Sequence, residues 1–401
     1  MERPFIPLLF AADINVYSVA RAFHEEYGVV SHAFGKALSG PCADSRIIRY
    51  SSHPKADSAE TVAETVAAFA KAHRDKKIIV LGCGDNYIRQ ISNCKGSFPA
   101  NVIAPYINVA RMDRLIHKER FYELCAAAGV DYPDTFIHRK GMGDDFSPPF
   151  GGPFIIKPSN GIEYWEHPFE GQHKVFKADS LDEAKGILGK IYASGYSDTV
   201  VVQDFIPGDD SYMRVLTNYS DSGGKVKLSC FGHVLLEEHT PHGSGNHAVI
   251  ITRSGRAVEE QFRKLLEGLN YVGFSNFDIK YDSRDGKYKV FELNARQGRS
   301  NYYVTGSGEN IARYLVDDLI YQKELPKVSA DRRTLWMVVP KRVAFQYVGG
   351  AEYREEMREL ISAGRWSNPL LYDKDRGLKR GLRVRKNLLS HFYKFHKYYK
   401  I

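Results

Sequence analysis

Two acids and an amide are spaced in this sequence as ligands of a divalent cation would be. Residues 277–294 alternate apolar and polar side chains around a turn-forming cluster that ends at Gly286, which is typical of a β-hairpin. Pairing across the turn puts Asp278 opposite Glu292, and Asn294 lies two residues further along the same face. Two carboxylates and an amide oxygen at that separation could hold Mg²⁺. The exposed face of an ordinary surface hairpin would look the same, so the hairpin alone leaves both interpretations open.

A lysine at the end of an apolar strand is the second chemical feature. Residues 153–161 read Pro-Phe-Ile-Ile-Lys-Pro-Ser-Asn-Gly, so Lys157 stands directly before a loop of small residues. Backbone N–H groups in such a loop can face phosphates while the ammonium group supplies charge. A strand that ends in a solvated lysine would give the same pattern.

A β-branched run that breaks at a Pro-Gly turn is the third feature. Residues 199–210 read Thr-Val-Val-Val-Gln-Asp-Phe-Ile-Pro-Gly-Asp-Asp. The backbone at such a break could face the edge of a nucleobase, and an acid could accept hydrogen bonds from ribose hydroxyls. An edge strand followed by a tight turn remains an alternative.

Alternating strands and helices over residues 5–105 are the first elements that would position a site. This alternation predicts a parallel, doubly wound sheet, in which ligands bind where the strands end. One apolar run leads to Asp13 and Asn15, and another leads to Gly84 and Asp85, so we expect these four residues at the edge of one crevice, where they would bind substrate. The Gly-x-Gly here lacks the third glycine of a dinucleotide fingerprint, which argues against NAD.

Further along the chain, residues 111–128 have the pattern of one helix that ends at Gly129. Residues 333–348 look like two more strands.

Two segments could act as lids over a site that must exclude water, the glycine-poor residues 164–176 and the loop of residues 237–247. The second contains His239, His242 and His247. The Gly-Ser-Gly among these histidines favours a flexible flap over a zinc site, and one of them could accept a proton from an amine.

The chain length of 401 residues allows two or three domains. The sequence has no apolar run of 18 residues that could span a bilayer. The apolar opening has one basic residue and too short an apolar core for a signal peptide, which argues against secretion. Five cysteines without Cys-x-x-Cys spacing favour a reduced, cytoplasmic protein.

The positive charge of the chain is concentrated in its last 28 residues. Residues 374–401 contain ten Lys or Arg and one acid, while the whole chain carries a net charge of +8, so the remainder is close to neutral. Leu388, Phe392, Phe395 and Tyr399 recur at helical spacing, which predicts a basic amphipathic helix. This helix could pack on the body of the protein, contact anionic lipid, or help to bind an anionic substrate.

The order of these features along the chain resembles the ATP-grasp superfamily of carboxylate–amine ligases. The matching pieces are a basic helix with Lys118, the strand of Lys157, the break at residues 203–210, and the hairpin that contains Glu292-Leu-Asn294. The resemblance covers residues 5–325. It implies an N-terminal doubly wound α/β domain, a two-lobed α+β ATP-grasp fold and a small extension, with these bounds: 1–108 for the pre-ATP-grasp domain, 109–202 for the lid subdomain, 203–325 for the subdomain with the magnesium site, and 326–401 for the basic extension.

The resemblance also implies a role for each candidate residue. Gln203 stands where many members have Glu, which still leaves an amide oxygen to accept from the adenine amine. Asn276 stands where D-alanine ligases have Arg, which argues against a D-alanine-type acceptor site. The other implied roles are catalytic contact with the ATP phosphates by Lys157, a further phosphate contact by Arg114 or Lys118, backbone contact with adenine by Asp204 and Ile206, ribose contact by Asp210, magnesium binding by Asp278, Glu292 and Asn294, phosphate and substrate binding by Arg296 and Gly298, and stabilisation of the reaction intermediate by Arg296 or Arg299.

Residues 11–25 and the loop at residues 83–87 resemble D-aspartate ligases of peptidoglycan cross-bridge synthesis. Such enzymes would activate D-aspartate as an acyl-phosphate and join its β-carboxylate to the lysine amine of UDP-MurNAc-pentapeptide. The cofactors implied are ATP and two Mg²⁺ ions, which Mn²⁺ could replace. Dimers are common among the relatives, which makes a homodimer one option, and we expect no nucleic-acid partner.

Two alternatives remain open from the sequence. One is a ligase that joins another amino acid or small carboxylate to an amine. The other belongs to a different class, either an ATP-grasp kinase or a nucleotide-binding module without turnover.

Overall fold

The computed structural model describes residues 3–143, 145–241 and 243–399. Residue contacts divide the chain into two compact units. The first contains the chain up to Val109, Asp210–Asn276 and the chain from Asn294 onwards, and the second contains Ala110–Asp209 and Phe277–Leu293. The predicted mixed α/β class is confirmed, whereas the division of the sequence into four parts stays a prediction.

The strands and helices follow one another in the order that an α/β protein requires. The strands are β1 Phe5–Phe10, β2 Ser31–Gly35, β3 Ile48–Ser52, β4 Lys77–Gly82, β5 Val102–Ile103, β6 Thr135–His138, β7 Phe154–Pro158, β8 Phe176–Ala178, β9 Val200–Asp204, β10 Met213–Ser220, β11 Val226–Glu238, β12 Asn246–Arg253, β13 Gly273–Asp282, β14 Lys287–Asn294, β15 Val328–Ser329, β16 Leu335–Met337 and β17 Trp366–Ser367. The helices are α1 Ile14–Tyr27, α2 Ala59–Ala72, α3 Asp85–Cys94, α4 Val109–Ile116, α5 Lys118–Ala128, α6 Gly161–Glu166, α7 Leu181–Ala193, α8 Arg256–Gly268, α9 Tyr302–Gly306, α10 Ile311–Leu319, α11 Lys341–Tyr347, α12 Ala351–Ser362 and α13 Leu378–Tyr398.

A parallel five-stranded sheet occupies the N-terminal part of the first unit. Its order is β3-β2-β1-β4-β5, with Leu8 opposite both His32 and Val80. The apolar runs of β1 and β4 are buried, as strands of a parallel sheet are when both faces are covered. The chain order reverses at β1, where α/β sheets form a ligand crevice. Phe10 and Gly82, the last residues of β1 and β4, are paired, so the predicted crevice residues begin side by side.

A second, mainly antiparallel sheet fills most of the remaining first unit. It runs β13-β10-β11-β12-β16-β17, and β15 pairs with β11 in parallel. β10, β11, β12 and β16 pair antiparallel in sequence, whereas β16 and β17 are parallel. β13 enters this sheet beside β10 with its first residues, before the chain passes into the second unit at Phe277.

Residues 333–348 were predicted to form two strands. Their first half forms the strand β16, but their second half forms the helix α11. Pro340 directly precedes this helix, and Val343, Ala344 and Val348 are buried. Ala344 and Val348 are four residues apart, close to one helical turn. A short apolar run does not reveal its period in the sequence, so the helix could be mistaken for a strand.

The basic tail forms α13, and the predicted amphipathic helix is confirmed. Phe395 is buried against Tyr347, with 5.2 Å between the ring centroids. Phe392, which shares the helical spacing of Phe395, is 37% exposed. Among the described residues, every helix is too short or too polar to cross a membrane.

The second unit is built on a four-stranded antiparallel sheet in the order β6-β9-β7-β8. Ile155 of β7 pairs with Gln203 of β9, and Lys157 pairs with Val201. Lys157 and Gln203 therefore project from the same face as diagonal neighbours. The core of this unit is apolar and consists of Phe146, Phe154, Ile156, Tyr164, Ala178, Ala184, Leu188, Ile191, Tyr196, Val200 and Val202.

The helix predicted over residues 111–128 is interrupted at His117. This residue has extended backbone dihedrals, and its Nε2 lies 3.2 Å from both carboxylate oxygens of Asp198. Gly129 ends α5 in the left-handed conformation at φ 66°, as a C-cap glycine should. The interruption makes Lys118 the first residue of a new helix.

Candidate active site

The hairpin of the second unit brings two acids together among three lysines. Asp278 of β13 and Glu292 of β14 are in hydrogen-bond contact, as cross-strand pairing predicted. Burial raises the pKa of Glu292, but the charges of Lys174, Lys118 and Lys157 outweigh burial and lower this pKa to about 2. The Nζ of Lys174 lies 3.6 Å from Oε1 of Glu292. Glu292 is therefore ionised at neutral pH.

Lys157 is the most constrained of the three lysines. Its side chain is 9% exposed, with Nζ 4.6 Å from the ring centroid of Phe291 and 3.4 Å from Oε1 of Gln203. Burial lowers the pKa of Lys157 to about 8, although the charge of Glu292 opposes this shift, and the neighbouring Lys118 adds to it. The ammonium group is thus poorly compensated by the protein alone.

This cluster fits a phosphate chain together with a divalent cation. Two carboxylates in contact repel each other unless a proton or a cation lies with them. Three ammonium groups around two carboxylates leave positive charge for an anion to neutralise. Among the described residues, no group of three or more His, Cys, Asp or Glu is arranged to hold a metal ion. A cation at Asp278 and Glu292 would therefore need further oxygen ligands, as Mg²⁺ commonly takes from water and phosphate.

The predicted adenine contacts lie at the end of β9. Gln203 is buried, and its amide oxygen accepts from Lys157 while its amide nitrogen donates to a threonine hydroxyl of β6 at 2.9 Å. The carboxylate of Asp204 pairs with Arg284, and Ile206 is buried. An adenine amine would have to share the Gln203 oxygen with the lysine.

Of the two predicted basic contacts on the preceding helices, Lys118 belongs to the lysine cluster. Burial lowers its pKa and the charge of Glu292 raises it. The backbone N–H of Lys118 donates to the backbone carbonyl oxygen of Ser159 at 3.3 Å, in the loop that follows Lys157. Arg114 is exposed on α4.

In the first unit, the predicted crevice residues meet at the ends of β1 and β4. The Asp13 carboxylate caps α1 by accepting from the backbone N–H groups of Asn15 and Val16. The Asn15 amide donates to the oxygen of Cys83 at 3.0 Å and accepts from the amide of Asn301 at 2.8 Å. The two strand ends are thereby connected to the segment that follows β14.

Arg296 pairs with a second crevice residue. Its guanidinium contacts both carboxylate oxygens of Asp85, at 2.7 and 2.9 Å, and lies 3.2 Å from Oδ1 of Asn294. Gly84 precedes Asp85 as the N-cap residue of α3. A guanidinium held in this forked geometry can recognise a carboxylate or a phosphate.

Arg299 pairs with an acid, Glu238, that is more buried than Asp85. Its Nη2 lies 3.2 Å from Oε1 of Glu238. Burial raises the pKa of Asp13, and the charges of Arg299 and then Arg296 oppose this rise. Burial, with a further contribution from Arg299, lowers the pKa of His247 to about 4. A histidine with so low a pKa is a weak base, which argues against His247 as the proton acceptor.

Two other predicted residues have clear structural partners. Oδ2 of Asp210 accepts from the backbone N–H of Glu237 at 2.8 Å and lies 2.9 Å from Nε2 of His239. A Cβ on Gly298 would lie 2.5 Å from Oδ1 of Asn276, so the close approach of this side chain requires glycine there. A ribose contact by Asp210 would compete with bonds that already hold it.

Comparison with known proteins decides the family. No family model matches the chain. A D-aspartate ligase from Enterococcus faecium (strain Aus0004) is 38% identical over 409 residues, which cover 99% of this chain and 97% of that protein. The chain belongs to the D-aspartate ligase family.

Solved structures share the fold of this family member at low sequence identity. The biotin carboxylase domain of a Hydrogenobacter thermophilus 2-oxoglutarate carboxylase, solved with magnesium ADP, has a TM-score of 0.62 and 14% identity over 83% of this chain and 73% of that one. N5-carboxyaminoimidazole synthetase from Staphylococcus aureus has a TM-score of 0.59 and 13% identity, over 82% and 80%. An L-amino acid ligase from Bacillus licheniformis has a TM-score of 0.56 and 15% identity, over 80% and 75%.

Membership of the D-aspartate ligase family confirms the predicted class of enzyme. The protein is a ligase that forms carbon–nitrogen bonds and acts on small molecules, and its fold is that of the ATP-grasp ligases. The expected cofactors, ATP and Mg²⁺, are also confirmed at the level of this group. The roles of individual residues stay predictions.

Several polar residues of the two clusters carry no motif and were not predicted from the sequence. Lys174 and Glu238 lie within the two predicted lid segments, which was the one signal available for them. Asn301 and His391 had none, because their positions depend on the folding of distant segments. His242, in the second lid segment, lies outside the described residues.

Proposed function

We propose that the protein joins the β-carboxylate of D-aspartate to the lysine side-chain amine of UDP-MurNAc-pentapeptide, with ATP as the source of energy. The observation that carries the proposal is the 38% identity to a D-aspartate ligase over 99% of the chain. The two charged clusters support it, because one is suited to phosphates and the other to carboxylates.

The second unit would bind the nucleotide. Lys157, Lys118 and Lys174 would offset the charge of the phosphate oxygens, and Asp278 and Glu292 would hold Mg²⁺. Bound Mg²⁺ would supply further positive charge to the phosphates during transfer. The lowered pKa of Lys157 supports this assignment, because a buried ammonium group without full compensation favours an incoming anion.

The first unit would bind the amino acid. Arg299 and Arg296 would bind its carboxylates, and the Asp13 carboxylate is suited to its ammonium group. A carboxylate oxygen would attack the γ-phosphorus of ATP and release ADP. The amine would then attack the acyl carbon of the acyl-phosphate, releasing phosphate and a proton and leaving the amide. Arg296 or Arg299 would stabilise the negative charge that develops in these steps.

The test is mass spectrometry of UDP-MurNAc-pentapeptide incubated with the purified protein, magnesium ATP and either D- or L-aspartate. We expect a product heavier by one aspartyl residue with the D-isomer alone, together with ADP and phosphate. An adduct with a different amino acid would keep the ligase chemistry and change the substrate. ADP release that needs no amine would instead indicate a kinase.

We also propose that α13 makes a peripheral contact with anionic lipid. Its outer face exposes apolar side chains among basic ones, a composition that suits an anionic interface. The exposed apolar residues of this helix include Leu378, Leu382, Leu389, Phe392 and Tyr393. We expect sedimentation with phosphatidylglycerol vesicles and not with phosphatidylcholine vesicles, and loss of this binding in a Leu382→Ala, Leu389→Ala double variant. Equal binding by the double variant would contradict the proposal.

The remaining expectations are a cytoplasmic location, a homodimer and no nucleic-acid partner. In the described part of the chain, the five cysteines are free thiols, which supports a reducing compartment. Light scattering of the purified protein would measure the oligomeric state.

A further inference from the structure

The helix α13 carries a buried histidine, His391, whose ring nitrogens form no hydrogen bonds within the described residues. His391 is 4% exposed, and neither of its ring nitrogens has a hydrogen-bond partner among the described residues. Buried polar groups are nearly always paired, so such a side chain calls for an explanation, such as a ligand. His396, five residues further along the same helix, is exposed and shows what an ordinary surface histidine of this helix looks like.

The N-terminal end of α13 contacts residues 41–43, a loop that lies beside Asp13. Arg380 is buried and donates to the carbonyl oxygens of Pro41 and Ala43 at 3.0 and 3.2 Å. Between these two residues, the Sγ of Cys42 lies 3.7 Å from the backbone oxygen of Asp13. The start of the helix is therefore bonded to the loop that contacts Asp13.

The C-terminal end of α13 lies beside Glu238, the acid that pairs with Arg299. Tyr399, directly after the helix, packs on the ring of His239 with 4.6 Å between centroids, and His239 is next in sequence to Glu238. Arg380 and His391 are eleven residues apart, which is close to three helical turns and places both on one face. His391 thus lies on the packed face of the helix, between the end that contacts residues 41–43 and the end beside Glu238.

The guanidinium of Arg299 interacts electrostatically with both Glu238 and His391. Arg299 pairs with Glu238 through Nη2, while its Nη1 is buried and has no hydrogen-bond partner within the described chain. The pKa of His391 is lowered to about 4, first by burial and then by the charges of Lys394 and Arg299. Buried side-chain oxygens of Gln297 and Asn301, in the same segment as Arg299, also meet no partner in the described residues. Unpaired donors and acceptors are concentrated here.

We propose that His391 and Arg299 together bind the carboxylate of the amino acid that does not react, so that the C-terminal extension supplies part of the substrate site. The inference rests on the proposed function. Aspartate carries two carboxylates, and if the β-carboxylate is activated, the α-carboxylate must be recognised. Arg299 Nη1 and a ring N–H of His391 are the donors that a carboxylate needs, and Glu238 and Asp13 carry the opposite charge for the ammonium group.

The experiment compares His391→Ala with the matched control His396→Ala on D-aspartate and on β-alanine, which is aspartate without its α-carboxylate. We expect His391→Ala to raise KM for D-aspartate by about 10- to 100-fold, the usual effect of losing a hydrogen bond to a charged group. KM for ATP should stay within about twofold, and the control should resemble the wild type. His391→Gln, which keeps a donor, should recover part of the loss.

The β-alanine arm separates substrate contact from a purely structural role. If His391 contacts the α-carboxylate, the variant and the wild type should handle β-alanine equally, either as a substrate or as an inhibitor of the D-aspartate reaction. An equal loss on both compounds, or an unchanged KM for D-aspartate, would overturn the inference. A wild-type protein that uses no D-aspartate would overturn the proposed function as well, and this outcome is visible before any variant is tested.

Discussion

The two units concentrate positive charge by different means. The second unit uses lysines, with Lys157, Lys118 and Lys174 around Glu292. The first unit uses arginines, with Arg296 on Asp85 and Arg299 on Glu238. A lysine ammonium is a compact charge whose pKa shifts readily on burial, whereas an arginine guanidinium stays charged and offers a planar fork of donors.

This difference matches the task proposed for each unit. The phosphate groups change position and charge during the reaction, and point charges can follow them without a fixed hydrogen-bond geometry. The amino acid must instead be recognised by shape, because its two carboxylates differ only in position. A planar fork with fixed partners is the better device for that purpose.

The largest effect is expected from removing the acid around which the lysines are arranged. Glu292→Gln should lower kcat/KM by about 1000-fold or more, since even changes next to a metal ligand commonly cost 10- to 100-fold. Steady-state ADP release at saturating magnesium would measure the loss. Glu170→Gln, at an exposed acid of the same unit, is the control and should be neutral. Activity of Glu292→Gln within tenfold of wild type would remove Glu292 from the proposed magnesium site.

Lys157→Met tests whether the buried ammonium group acts on the phosphates. We expect kcat to fall by about 100-fold, the typical cost of losing one positioned donor at developing charge. Lys157→Arg should not restore the rate, because a guanidinium spreads its charge over a planar fork, whereas the lysine places a compact charge between Phe291 and Gln203. Lys190→Met, at an exposed lysine on α7, is the matched control. Full rescue by arginine would show that charge alone is needed.

Arg299→Lys tests the opposite side of the comparison. The charge is kept and the fork is lost, so KM for D-aspartate should rise by about tenfold while KM for ATP changes little. Arg313→Lys, at an arginine paired with Glu309 on the surface of the same unit, controls for the substitution itself. If Arg299→Lys changed KM for ATP as much as KM for D-aspartate, the assignment of separate tasks to the two units would be wrong.

Much of the second unit's cluster could be predicted from the sequence. Asp278 and Glu292 are close because a hairpin with a marked turn fixes its own register, and that register can be read from local alternation. Lys118 could not be chosen over Arg114, since both lie on one predicted helix. The interruption at His117 depends on Asp198, which is distant in sequence.

The arginine cluster was harder to predict because its members come from distant segments. Asp13 was found from a strand end, and Arg299 from its place after the hairpin. Glu238 and His391 join them only through the pairing of β11 and the packing of α13. The apolar spacing of α13 includes Phe392, which is exposed, whereas Arg380 and His391 are buried, so polar side chains help to form its inner face. The spacing of apolar residues in the sequence cannot reveal a buried helix face that carries polar side chains.

The smallest effect concerns protons taken up when the nucleotide binds. Burial lowers the pKa of Lys157 to about 8, so about half of this side chain is neutral at pH 8 in the free protein. Phosphate oxygens favour the charged form, so magnesium ADP should bind with uptake of up to about half a proton at pH 8 and almost none at pH 6. Calorimetry in buffers of different ionisation enthalpy would measure the uptake.

The same shift has a definite sign for folding. The folded-state pKa lies below the usual value of 10.5, so the buried charged lysine opposes folding at neutral pH, and this penalty is relieved as the pH rises from 8 towards 10.5. Lys157→Met should therefore abolish the proton uptake and raise the free energy of unfolding most at or below pH 7. Uptake that persisted in this variant would assign the titration to Lys118, whose pKa burial also lowers. The arginine cluster should contribute no uptake, because guanidinium groups stay charged throughout this pH range.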